Sequence, residues 1–129
     1  MALSSEFRIL ILFTVKAAFI DSQITSSLVA QTVCVGDDVD LDWVYGNAAD
    51  ISSVTWSHTY SSSNTKTIMQ LGLGGGGAPT VIDNFNVVHK SNGGITLTNV
   101  NEGNSGSYKI SVTYLSTSPV EDSVSVTVK

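Results

Sequence analysis

The chain has 129 residues, enough for one domain with a real core and too few for two. Eleven acidic residues against six basic ones leave a net charge of −5, and beyond residue 22 the only cationic side chains are Lys66, Lys90, Lys109 and Lys129 beside His58 and His89. Such a surface repels a phosphate backbone, so no nucleic-acid partner is expected.

Residues 1–22 differ from the rest. Glu6 and Arg8 cancel, Ile9–Val15 is apolar but for Thr14, Lys16 interrupts, and Ala17–Ile20 continues the run. The stretch is too short and broken to span a bilayer and reads as a secretory signal peptide, with Val15-Lys16-Ala17 or Ile20-Asp21-Ser22 as cleavage triplets. A buried N-terminal helix is the alternative, but no amphipathic period or cap marks one. The expectation is therefore a domain over residues 23–129 in the secretory pathway. It would act at the extracellular side of the plasma membrane or be secreted, with any membrane anchor beyond Lys129.

From residue 28 onward short alternating runs are split by turn residues, which predicts an all-β antiparallel sandwich. Gln31–Val35 is the first strand, closed by Gly36-Asp37-Asp38. Val39–Trp43 alternates strictly, with Val39, Leu41 and Trp43 on one face and Asp40 and Asp42 on the other. Gly46–Asp50 is a loop. Val54–Tyr60 alternates again with Val54, Trp56 and His58 inward; Ser61–Asn64 turns into Lys66–Leu71; and Gly72–Pro79 is a flexible connection. Phe85–Val88, Ile95–Val100, Tyr108–Tyr114 and Ser123–Val128 complete eight or nine strands.

No constellation of catalytic residues emerges, and neither enzymatic activity, a cofactor nor a metal is expected. His58 and His89 lack a nucleophile in a recognisable motif. The Gly74–Gly77 run lacks the Gly-Lys-Ser/Thr of a phosphate loop. Asp37, Asp38, Asp40 and Asp42 suggest calcium by composition, but Asp40 and Asp42 point outward from a strand, as on a solvated face. Cys34 is the single cysteine, either a buried thiol or one whose partner lies outside this chain.

Four features carry a family resemblance. Gly36-x-x-Val39-x-Leu41-x-Trp43 resembles strand B of immunoglobulin superfamily domains, with Trp43 where a cysteine is usual. Trp56 resembles the core tryptophan of strand C, and Ile95–Val100 resembles strand E. Asn104-Ser105-Gly106-Ser107-Tyr108-Lys109-Ile110 resembles the E–F corner and strand F, usually Asp-x-Gly-x-Tyr-x-Cys, with Ile110 at the second cysteine position. The resemblance implies a V-type immunoglobulin-like Greek-key sandwich of two antiparallel sheets without the core disulfide. Trp43, Trp56, Ile110, Tyr108 and Leu97 should form its core. A bridge there would close a loop of about 67 residues and be worth about 4 kcal/mol; burying a second tryptophan offsets that by at most roughly 5 kcal/mol. The resemblance also implies a corner bond from Tyr108 to the backbone near Asn104, and an Asn84–Asn104 amide pair in place of the usual ion pair.

Disulfide-free V-type domains occur in lymphocyte adhesion receptors of the signalling lymphocyte activation molecule type, and strongly divergent ones in allorecognition receptors of colonial cnidarians. The absence of sequons and of a strand G diglycine bulge tilts the resemblance to the second group. Both imply a membrane-distal recognition domain. Its partner would be a protein, either the same domain on an opposing cell or a related immunoglobulin-like domain. A soluble secreted immune effector is the alternative. Sialic-acid binding in this family uses an arginine on strand F, and this chain has no arginine after Arg8. Strand parity puts the adhesive residues on the G-F-C-C′ face: Thr55, Ser57, Thr59, Lys66, Ile68, Gln70, Lys109, Ser111 and Thr113, with Leu115 in the loop beyond. Ser123, Ser125 and Thr127 share that face, which is expected to be nearly neutral, while Asp40 and Asp42 make the opposite one acidic.

Overall fold

The structure is a computed structural model, and it describes residues 24, 28–46, 48–61, 64–72, 78–90 and 93–129. The expected signal peptide and most of the glycine-rich connection lie outside these residues. Nine strands are described: β1 (Gln31–Val33), β2 (Val39–Leu41), β3 (Ile51–Ser61), β4 (Asn64–Leu71), β5 (Thr80–Val81), β6 (Val87–His89), β7 (Ile95–Leu97), β8 (Gly106–Tyr114) and β9 (Val120–Val128). They form a two-sheet sandwich, one sheet ordered β1-β9-β8-β3-β4-β5 and the other β2-β7-β6. The long strands β9, β8, β3 and β4 make the centre of the larger sheet, with the short β1 and β5 at its edges.

One pairing departs from expectation. β1 runs parallel to β9, in register Gln31↔Val126 to Val33↔Val128, so the larger sheet is mixed. The chain leaves β1 through Cys34–Asp38 and crosses to the other sheet at β2, which frees β1 to lie alongside the final strand. The short strand β5 lies in a segment that the sequence pattern leaves as connection and turn.

The core follows the alternation. Val39, Leu41 and Trp43 from one sheet meet Val54, Trp56, Tyr108, Ile110 and Val112 from the other, all at most 1% exposed, with Ile95 and Leu97 closing the second sheet. Trp56 and Ile110 are direct cross-strand neighbours. Both indoles have acceptors: Trp56 Nε1 donates to the Gly93 carbonyl (3.0 Å) and Trp43 Nε1 to Asp122 Oδ2 on β9 (2.8 Å). A buried indole N–H left unpaired would cost about 1–3 kcal/mol, so Asp122, which faces inward on β9, is what lets Trp43 be buried here.

At the corner after β7, Tyr108 Oη donates to the Asn104 carbonyl (2.5 Å), in the expected corner geometry. The partner of Asn104 is different from the expected one. Asn84 sits exposed in a turn at φ 52°, and Asn86 makes the amide pair instead: Asn104 Nδ2 donates to Asn86 Oδ1 at 3.2 Å. The turn Ile82–Phe85 rotates Asn84 away and delivers Asn86 two residues later. Asn104 Oδ1 also accepts from the Asn101 N–H (2.8 Å), and Asn101 Oδ1 from the Gly103 N–H (2.8 Å), a capping box on the single turn of 3₁₀ helix at Glu102–Asn104.

His58 is 2% exposed. Its ring stacks on Tyr108 (centroids 4.4 Å apart, planes 7° apart), and Nε2 is 2.9 Å from the Ser105 carbonyl. Burial holds its pKa below the ordinary value, an effect that hydrogen bonding to Ser105 opposes and the nearby Lys66 charge reinforces. His89, edge-on to Trp56, is shifted down by burial as well. A histidine with a lowered folded-state pKa takes up its proton more readily when unfolded. Its stabilising contribution is therefore complete above about pH 6.5 and is lost as pH falls below that value. The unfolding midpoint is expected to be flat from pH 7 to 8 and to fall on going to pH 5, with a shallower fall in His58→Gln. Thermal unfolding followed by circular dichroism checks this, and a pH-independent midpoint between 5 and 8 would contradict it.

Cys34 is exposed, which removes the buried thiol from the two readings of the sequence. It lies in the turn after β1, where its N–H is held by Asp37 Oδ2 (3.0 Å), and that turn sits at the surface beside the end of β9.

Candidate interaction face

The outer surface of the six-stranded sheet is assembled row by row by register. One row runs Thr80, Gln70, Thr55, Ser111, Glu121; a second Thr67, Ser57, Lys109, Ser123; a third Thr65, Thr59, Ser107, Ser125. Ser53 and Thr113 pair above the first row. The side chains are short and hydroxylated because β-branched threonine and small serine suit a solvated pleat, and inward alternation has already taken the apolar residues.

The expected residues are only partly on this face. Thr55, Thr59, Lys109, Ser111 and Thr113 are half-buried and outward, Gln70 is exposed, and Leu115 is 69% exposed in the loop after β8. Ser57 faces outward by register but is 8% exposed, a small side chain on an inner strand between Thr67 and Lys109. Ile68 does not belong to the face: it is fully buried. A β-bulge between Trp56 and Ser57 sets Met69 opposite Trp56 and Thr67 opposite Ser57, so Ile68 is an extra residue and joins Met69 in the core. The same shift puts Lys66 opposite the inward His58, so it leaves the sheet at its rim and pairs with Asp83 at 3.4 Å. Thr65 and Thr67 take the outward places assigned to Lys66 and Ile68. One inserted residue reverses the facing of everything before it, and its trace in the sequence is the adjacent apolar pair Ile68-Met69, which breaks the alternation of β4.

Charges on this side cancel within the chain. Lys109 Nζ lies 3.6 Å from Glu121 Oε2 across β8 and β9. Near the upper end, Ser53, Thr55, Gln70, Gly72, Ala78 and Thr80, backed by Val54 and Leu71, line an open depression of about 380 Å³. The opposite sheet is less acidic than expected, because Lys90 Nζ sits between Asp42 Oδ1 (2.6 Å) and Asp40 Oδ1 (3.6 Å). The neighbouring carboxylates are engaged too. Asp40 accepts from Thr96 Oγ1, Asp38 from the Asn99 N–H, and Asp37 from the Cys34 N–H.

No family model matches the chain, and no curated protein matches it. Solved structures do. One matching chain comes from a structure described as the structural basis of T cell specificity and activation by the bacterial superantigen toxic shock syndrome toxin-1. It aligns with a TM-score of 0.62 at 17% identity, covering 83% of this chain and 97% of that one. With 1671 chains matching, the likeness identifies a widely used fold and selects no function.

Proposed function

We propose that this domain is an extracellular recognition module that binds protein through the outer face of its larger sheet, with a second copy on an opposing cell as the partner. In this reading it is the membrane-distal, V-type immunoglobulin domain of a cell-surface receptor of the allorecognition kind. The observation that carries the proposal is the face itself, hydroxylated, low in charge, and with Lys109 matched to Glu121 in the same chain. Two copies of a face with unpaired like charges repel one another, whereas two internally balanced faces do not. Four long strands, β3, β4, β8 and β9, lie about 4.8 Å apart and offer on the order of 550 Å², with the short β1 and β5 at the edges, somewhat below the roughly 800 Å² per partner of an ordinary specific interface. Short polar side chains supply few deep anchors, so the affinity is expected to be modest, about 1–100 μM.

Sedimentation equilibrium of the purified protein, with aggregation of beads coated in it, tests the reading. Self-association and clustering are expected. Ser111→Glu, which sets a second carboxylate in register with Glu121, and Thr113→Glu should each weaken both by more than about tenfold. A monomer at several hundred micromolar with dispersed beads would sink homophilic binding through this face.

A further inference from the structure

Beyond the flat face, one loop is built more firmly than its length requires. The segment after β8 leaves the sheet at Tyr114, opposite Ile51, and continues through Leu115–Pro119 to β9. Asp50, the last residue of the 3₁₀ turn before β3, holds it from two sides. The Asp50 carbonyl accepts from the Leu115 N–H (2.8 Å), and Asp50 Oδ2 accepts from both the Ser116 N–H (3.4 Å) and the Ser116 hydroxyl. Just below, Tyr114 Oη donates to the Gly46 carbonyl (2.7 Å), tying the same two loops together again. The outcome is a backbone fixed on both flanks of a leucine whose side chain is 69% exposed.

A single exposed leucine is ordinary on a protein surface. A leucine in a backbone stretch that donates three hydrogen bonds to one aspartate, one from its own N–H and two from Ser116, is not, because fixing a loop costs conformational entropy that an idle tip has no reason to lose. Ordering the loop in advance reduces what binding must supply, and buried apolar anchors surrounded by weakly contributing polar contacts are the usual pattern at specific interfaces. Leu115 follows Tyr114 and Thr113, and Thr113 pairs with Ser53 at the upper end of the outer face, so the anchor continues that face.

We infer that Leu115 is the apolar anchor of this face for a second copy of the chain and that Asp50 is its positioning residue; the inference rests on the homophilic reading above. Sedimentation equilibrium on the full chain and its variants tests it. Leu115→Ser is expected to weaken self-association about tenfold or more, and Leu115→Met to stay within about threefold of the parent. Asp50→Ala is expected to weaken it about fivefold, Asp50→Asn less because one acceptor remains, and Asp50→Ala combined with Leu115→Ser no further than Leu115→Ser alone. That non-additivity separates positioning from a general structural role, which would lower binding in both backgrounds. If Leu115→Ser binds like the parent while Ser111→Glu does not, the anchor is wrong and the homophilic face stands. If the two Asp50 and Leu115 losses add, Asp50 is not the positioning residue. A monomeric parent overturns the anchor and the homophilic reading together.

Discussion

Gly106→Ala is expected to cost more than about 3 kcal/mol and to abolish folding at ordinary temperatures in a domain of this size. Gly106 opens β8 at φ 140°, a backbone geometry that L side chains rarely adopt. A Cβ there would come within 2.3 Å of the Thr59 carbonyl oxygen and 2.9 Å of His58 Nε2. The first contact is with backbone and the second with a buried ring stacked on Tyr108, so neither can yield cheaply. The glycine of the corner motif is thus required where β8 begins its pairing with β3, beside the residues that bury the histidine. Urea unfolding of the purified variant measures the effect. A loss below about 1 kcal/mol would show that the corner relaxes more easily than these distances allow.

Trp43→Ala should cost about 3–5 kcal/mol, as expected for emptying a fully buried tryptophan site. Trp43→Phe separates the parts. It keeps most of the apolar volume but leaves the inward Asp122 carboxylate without the indole N–H, and is expected to cost about 1–3 kcal/mol. In Asp122→Ala the same hydrogen bond is lost from the other side, with the indole N–H left buried. In a double-mutant cycle the second substitution should therefore add little to Trp43→Phe. Chemical denaturation of the four proteins gives the coupling. Fully additive losses would mean that Asp122 stabilises the sandwich independently of Trp43. The cycle measures how far the two sheets are held together by a buried ring that reaches from the end of β2 to a carboxylate on β9.

The legible part of this protein was the part governed by local period and local chemistry. Alternation of Val39, Leu41 and Trp43 and of Val54, Trp56 and His58 predicted which side chains are buried, because successive strand residues face opposite ways whatever the strand pairs with. The Asn104–Tyr108 corner was readable for the same reason, since its tyrosine bonds back only four residues. The expected faces of β8 and β9 also hold, as both strands pair without a register shift between them.

Where the reading failed, the deciding contact came from elsewhere in the chain. The bulge that buries Ile68 and turns Lys66 to the rim exists because β4 must match β3 while β3 also matches β8, a constraint absent from the eight residues of β4. Asn86 rather than Asn84 meets Asn104 because of the turn before β6, and Asp122 meets Trp43 across 79 positions of sequence. The same holds for Asp50 and Ser116, 66 positions apart, whose contact gives the loop after β8 its shape. The sequence by itself determined the two-sheet character, the apolar core and the corner, which depend on periodicity and short-range bonding. Tertiary structure alone decided which residues share the outer face, the parallel seat of β1, the exposure of Cys34, and the fixing of Leu115, because each depends on where distant strands come to rest against one another.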